Sequence, residues 1–364
     1  MKLILAVLIV GFALTIVSVI FPQVRIKKGT IQYYPNHVMA MAVIGLIAAV
    51  AGLRSNIGDT QVYMESYRSA SDQLTNYLKI DGAFDFIFIY CLRRITENPQ
   101  IMIAATSLVI YPCILWRLYK NSALPEMSIF LFFTLGCYVN SMNGIRQYLV
   151  SSVLFALYPF MLKLKKPYVV ILLLILSSIH STALVLIPVY LVIDWKPWSR
   201  KMLLVIGAIA VIFLLFSRLS PFMYQLMEGT KYGEYENAEY TMQKVNMLRI
   251  AVTGLPVLLC WLIRSNSKLK GREMNFLVNA CLFNFVFMAF GLYGASYARF
   301  SLYFELYPLL IYPVIARAGF LKERDSRLFS VLLYLVFSGY FFYQIYGAWG
   351  GLIYISKALG VSID

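Results

Sequence analysis

The sequence predicts an all-α, polytopic membrane protein, and three observations carry that expectation. Of its 364 residues, 60% are hydrophobic and 13% charged, against about half and a quarter in an average soluble domain. The mean hydropathy is +0.72 over the whole length, which a buried core cannot produce in a chain that must also cover a surface. The apolar residues fall in runs close to the roughly 20 that a helix needs to cross a hydrocarbon layer about 30 Å thick. A soluble enzyme, a secreted disulfide scaffold and a disordered regulator are excluded. So is a nucleic-acid binder, despite a net charge of +15, because the basic residues are scattered in short clusters between apolar runs.

The candidate spans run over about 3–21, 38–53, 100–118, 126–142, 145–162, 202–217, 247–263, 275–293, 300–316 and 327–345. The first is placed like a signal peptide, but it has only Lys2 as a basic n-region and no small-residue cleavage site. It is expected to stay as a span. Residues 168–193 are too long for one tidy helix and short for two.

Basic residues in short loops set orientation. Arg25, Lys27 and Lys28 place the loop after the first span in the cytoplasm and the N-terminus outside. Alternation then puts Arg117 and Lys120, and Lys163, Lys165 and Lys166, inside as well. If 168–193 crosses once, the three later basic clusters fall outside. If it enters and returns, all of them fall inside. The second reading gives the stronger positive-inside asymmetry, so 168–193 is expected to be a helical hairpin or a pair of half-helices turning near Ser177-Ser178-Ile179-His180-Ser181. Backbone turns within a membrane need protein or a wet cavity to satisfy them, and this polar stretch supplies such a lining. The expectation is about 11–12 membrane helices in a single integral membrane domain, residues 1–364, with outer loops at 54–98 and 218–246. No repeat or low-complexity tract interrupts it.

Cys91, Cys113, Cys137, Cys260 and Cys281 lie in or beside apolar runs without paired spacing, implying neither disulfide nor zinc. No DxD pair, Walker loop or metal-ligand cluster is present, so no metal and no cofactor is expected.

Ionisable groups facing the interior of a membrane protein are its functional candidates, because charge in lipid costs several kcal/mol. They gather toward the outer leaflet: Arg54 with Gly58-Asp59-Thr60 and Tyr63, Asn143-Gly144-Ile145-Arg146-Gln147, His180 in its turn, and Tyr297-Ala298-Arg299-Phe300 with Glu305 deeper. Each has a plainer reading. Arg54 and Arg299 can snorkel at helix ends, Asp59 can close an Asx turn, His180 can cap its turn, and Glu305 can pair with Arg299. The cluster Tyr232–Tyr240 reads as a solvated acidic loop. Arg146, flanked by Asn143 and Gln147 in an apolar stretch, is the hardest to explain structurally. Arginine presents a fixed fork of donors that matches phosphate, so Arg54, Arg146 and Arg299 form a candidate pyrophosphate site.

At these residues the chain resembles the EpsG family of multi-pass proteins, which is similar to Wzy-type polysaccharide polymerases. The resemblance spans roughly 30–320 and rests on Arg54 with Gly58-Asp59-Thr60 and Tyr63, on Asn143-Gly144-Ile145-Arg146-Gln147, and on Ile179-His180-Ser181-Thr182-Ala183-Leu184 followed by Pro188. Tyr297-Ala298-Arg299-Phe300 is a weaker match. Ile179 and Thr182 depart from the Phe and Ser common in the family and leave the polar group intact.

The resemblance implies a glycosyltransferase at the outer face of the bacterial plasma membrane. It would polymerise undecaprenyl-pyrophosphate-linked oligosaccharide repeats in exopolysaccharide, capsule or O-antigen synthesis, alongside a chain-length regulator and other assembly proteins. Arg146 and Arg299 would hold the pyrophosphate with Arg54 assisting, and His180 or Asp59 would be the base. Asn143, Gln147 and Tyr297 would make further substrate contacts. Two alternatives stay open. A flippase or transporter of the same lipid-linked sugar would normally show inward access and repeats. A membrane O-acyltransferase would draw its donor from the cytoplasm and line the inner half with polar groups.

Overall fold

The computed structural model describes residues 2–27, 30–79, 81–227, 243–266, 270–319, 322–350 and 352–363. Lys28, Lys268 and the Tyr232–Tyr240 cluster lie outside the described residues. The protein is all-α and polytopic, with sheet limited, among the described residues, to two two-stranded hairpins. Four helices there are long and apolar enough to cross a membrane: Lys2–Ile20, Gln100–Asn121, Arg272–Phe290 and Glu323–Tyr346. Six shorter apolar helices accompany them. Large apolar side chains face outward along them, with Leu258 52% and Leu335 66% exposed, as a lipid solvent requires.

The chain gathers into two compact units, one made of residues 1–184 with 312–364 and the other of residues 185–311. The first unit begins with α1 (Lys2–Ile20), the hairpin β1–β2 (Gln23–Lys27, Thr30–Tyr34) and α2 (His37–Gly52). Asn36 caps α2 by accepting hydrogen bonds from the N–H groups of Val38 and Met39, a favoured N-cap arrangement. α2 packs against α1 and α4 (Gln100–Asn121), and α4 against α7 (Ile145–Met161). Small residues let these backbones approach: a Cβ on Gly52 would meet the Ala104 Cα at 3.2 Å. Close approach through small residues is how helices pack where lipid removes the usual hydrophobic drive. Polar contacts tie the helices together, among them Thr15 with Tyr119 at 2.7 Å and Tyr111 with Ser141 at 2.8 Å.

Two expected spans are broken. Residues 126–142 form α5 (Pro125–Thr134) and α6 (Cys137–Met142), separated by Gly136 at φ +86°. An α-helix cannot pass through a left-handed residue, and glycine adopts that conformation at little cost. Residues 300–316 are not one helix either: Ala295–Ala298 and a 3-10 turn Arg299–Tyr303 precede a helix that starts at Pro308. Proline disfavours the α conformation at the residue before it, so Tyr307-Pro308 restarts the chain. Hydropathy alone is blind to both breaks. The run at 202–217 extends instead to Arg200–Met227, into the expected outer loop 218–246.

The turn expected in 168–193 is present. α8 (Lys166–Ser177) ends, residues 178–180 turn, and Ser181–Val185 forms a 3-10 turn. The helix Leu186–Val192 follows in the second unit. Within that unit, Asn279 donates to the Ile193 and Trp195 carbonyls at 2.8 and 2.7 Å, and Arg272 pairs with Asp194 at 2.7 Å.

The loop 54–98 carries structure of its own. It holds α3 (Thr60–Arg68), a 3-10 turn Leu74–Tyr77 and a π-helix Asp85–Cys91. π-helical segments are rare and concentrate at functional sites.

Candidate functional site

The first unit brings three separate stretches of sequence to one place, and each is shaped by local backbone demands. Gly58 sits at φ +57°, and a Cβ there would lie 2.7 Å from the Asn143 Cβ and 2.9 Å from its Oδ1. Only glycine lets the two backbones meet this closely. Across the contact, the Asp59 N–H donates to Asn143 Oδ1 at 3.3 Å, and the Gly144 N–H donates to Asp59 Oδ2 at 3.4 Å. Gly144, at φ +62°, then turns the chain into α7, whose second residue is Arg146.

Arg146 is half-buried and forms an ion pair with Asp85. Its guanidinium lies 4.7 Å from the Phe84 ring centre and 5.9 Å from that of Tyr63, so two aromatic faces and one carboxylate hold the fork. Burial pushes the Tyr63 phenol above its ordinary range, opposed by the positive charge of Arg146. Tyr63 therefore stays protonated across neutral pH and can donate a hydrogen bond but not accept a proton.

Asp85 starts the π-helix, and Ala83, two residues earlier, donates its N–H to the Ser178 carbonyl at 3.0 Å. That bond fastens the turn carrying His180 to the segment that pairs with Arg146. His180 is half-buried; its N–H donates to the Leu176 carbonyl at 3.2 Å and its carbonyl accepts from Ala183 at 3.0 Å. The Ser177 and Ser178 hydroxyls bond back to the Leu174 and Ile175 carbonyls, closing the last turn of α8. The stretches around Asp59, Arg146 and His180 are thus linked by hydrogen bonds and an ion pair.

Arg54 takes a different part from the one expected. It is 2% exposed, and its guanidinium donates to Thr60 Oγ1 at 2.9 Å, the Met142 carbonyl at 3.1 Å, the Ala51 carbonyl and the Ser107 hydroxyl. Its fork is spent on the protein. It joins the end of α2, the start of α3, α4 and the residue before Asn143, and so acts as a brace for the Gly58–Asn143 contact rather than as a phosphate ligand. Gln147 is buried at 5% exposure, whereas Asn143 is exposed. Arg299 is exposed and Tyr297 half-buried; both belong to the second unit.

The residue that sequence reasoning missed is Asp85. The available signal was an acid set in an aromatic run, Phe84-Asp85-Phe86, where a carboxylate needs a partner. Among the described residues, no three His, Cys, Asp or Glu side chains gather to hold a metal ion.

This arrangement offers an arginine fork beside a carboxylate, a second carboxylate that accepts from the Gly144 N–H, and a histidine turn tied to the same framework. No curated protein and no solved structure matches the chain. The EpsG family model matches residues 37–354, which takes in Arg54, Asp59, Asp85, Asn143, Arg146, His180 and Arg299. By that match over nearly its whole length, the chain belongs to the EpsG family, whose members are Wzy-like polysaccharide polymerases.

Proposed function

We propose that this protein is a glycosyltransferase of the outer face of the bacterial plasma membrane that polymerises undecaprenyl-pyrophosphate-linked oligosaccharide repeats. The observation that carries this reading is the linkage of Asp59, Arg146 and His180 in one framework through Asn143, Gly144, Asp85 and Ser178.

The chemistry needs two things. The bond between the anomeric carbon and the pyrophosphate oxygen must break, and the acceptor hydroxyl that attacks that carbon must lose its proton. The diphosphate is already a good leaving group, so a fixed cation at its oxygens supplies much of the stabilisation. Arg146 fills that role, held ready by Asp85, Phe84 and Tyr63. The proton passes to the Asp59 carboxylate or to a ring nitrogen of a neutral imidazole at His180, each a candidate general base. Asn143 is the exposed polar neighbour for sugar hydroxyls. The assignments of Arg299, Tyr297 and Gln147 to substrate, of the plasma membrane as location and of the N-terminus to the outside rest on the sequence. So does the expectation of a chain-length regulator and other assembly proteins as partners.

The test is a host strain lacking the gene, complemented with wild-type or Arg146→Ala protein. Wild type restores a ladder of surface polysaccharide, and the variant leaves single lipid-linked repeats on the outer leaflet. Repeats trapped on the cytoplasmic leaflet would instead indicate a flippase, and a complete ladder lacking an acyl group an acyltransferase.

A further inference from the structure

The segment after the last long helix is folded against both strands of chain that build the site. The helix Glu323–Tyr346 ends at Gly347, and Gln344 near its end donates to the Thr134 carbonyl at 2.9 Å. Trp349 folds back, its N–H bonding to the Gln344 carbonyl at 2.8 Å. Together they cover Gly136: a Cβ there would lie 2.9 Å from both Gln344 Oε1 and the Trp349 ring. Gly136 opens the six-residue α6, which leads directly to Asn143.

Beyond it, the hairpin β3–β4 (Tyr354–Ser356, Val361–Ile363) meets the other strand of the site. The Ser55 N–H donates to the Ile355 carbonyl at 2.8 Å, and the Lys357 N–H to the Ser55 hydroxyl at 3.0 Å. Asn56 is bound twice: its Oδ1 accepts from the Ile355 N–H at 2.9 Å and its Nδ2 donates to the Ile353 carbonyl at 2.8 Å. The Tyr354 hydroxyl reaches the Val50 carbonyl at 2.8 Å. Ser55 and Asn56 lie two to four residues before Gly58 and Asp59. A peripheral hairpin needs no such set of bonds to a single dipeptide for its own folding.

We infer that the segment formed by residues 344–350 and 352–363 is a positioning clamp that sets the Gly58-Asp59 turn against Asn143, with Asn56 as its principal positioning residue. The clamp is bonded to the stretch that leads directly into Gly58 and Asp59. The inference rests on the proposed function for its consequence in catalysis, and on geometry alone for its consequence in structure.

The experiment therefore has two readouts on the full-length protein. Hydrogen exchange of purified protein in lipid nanodiscs is compared for wild type, Asn56→Ala and Asn56→Asp, and polysaccharide ladders are compared for the same three in the complemented host. Asn56→Ala loses two hydrogen bonds of ordinary net strength, so amides in 55–63 and 143–146 should exchange about thirty-fold faster, with helices α4 and α7 beyond their first turns unchanged. Asn56→Asp keeps the acceptor for Ile355 but sets a carboxylate oxygen against the Ile353 carbonyl, so it should exchange at least as fast as Asn56→Ala. The ladder should follow the same order. Unchanged exchange at 143–146 in Asn56→Ala overturns the clamp. Faster exchange with an unchanged ladder keeps the geometry and overturns its link to activity, while faster exchange in a protein with no polymer phenotype even on Arg146→Ala points to failure of the proposed function instead.

Discussion

Two glycines in the site share a left-handed backbone and differ in what surrounds them, which makes them a sharp probe. Gly58 and Gly144 have φ values of +57° and +62°. Alanine at either position carries the left-handed penalty of about 1–2 kcal/mol. At Gly144 nothing lies within 4 Å of the added Cβ, so that penalty is the whole effect, and the ordered site should become roughly tenfold less populated. At Gly58 the new Cβ would sit 2.7 Å from one Asn143 atom and 2.9 Å from two others, among them the backbone Cα. Asn143 must retreat, and the two long hydrogen bonds between Asp59 and residues 143–144 go with it. They contribute on the order of 0.5 kcal/mol each. The total reaches about 3 kcal/mol, or on the order of a hundredfold loss of the assembled site. The assay is ladder formation in the complemented host, normalised to protein in the membrane fraction, with thermal unfolding of the purified variants beside it. Gly58→Ala should nearly abolish polymer while Gly144→Ala only weakens it. Equal activity of the two variants would refute the steric argument, and full activity of Gly58→Ala would remove the Asp59–Asn143 contact from the site altogether.

Three further outcomes follow from the same geometry. Asp85→Asn removes the charge partner of Arg146, but the pair is partly exposed, so stability should change by no more than about 1 kcal/mol while the ladder shortens or disappears; a ladder like wild type would show that Asp85 only satisfies a surface charge. Arg54→Lys keeps the charge and loses the fork that joins Thr60, Met142 and Ala51, at a cost of about 2–3 kcal/mol, read as a lower unfolding temperature; wild-type stability and activity together would contradict its bracing role. His180→Ala should remove most of the polymer ladder at wild-type protein abundance, and an unchanged ladder would leave Asp59 as the base.

Much of this was legible in the sequence, for identifiable reasons. Long apolar runs report helices because lipid demands them, so Gln100–Asn121 and Arg272–Phe290 lie within a few residues of expectation. The turn at Ser177–His180 was legible because polar residues interrupt an apolar run. The breaks at Gly136 and at Tyr307-Pro308 were hidden because hydropathy ignores backbone angles.

At the site, Arg146 stood out as a charge in an apolar stretch. Its partner Asp85 stands in an aromatic run that calls for a counter-charge, but the two are 61 residues apart, and nothing local says which cation answers it. Arg54 shows the converse. A buried arginine holding carbonyl oxygens and an arginine waiting for phosphate look the same in a sequence, and only the filled hydrogen bonds of its guanidinium separate them. The bracing by Asn56 was equally invisible, since its partner Ile355 lies 299 residues away.

The most direct test of the central claim is the lipid-linked glycan pool of a strain whose only copy of this gene carries Arg146→Ala, measured by mass spectrometry with leaflet-specific labelling. The account predicts single repeats accumulating on the outer leaflet, no surface polysaccharide ladder, and variant protein at wild-type abundance in the membrane. A normal ladder from that strain would contradict it.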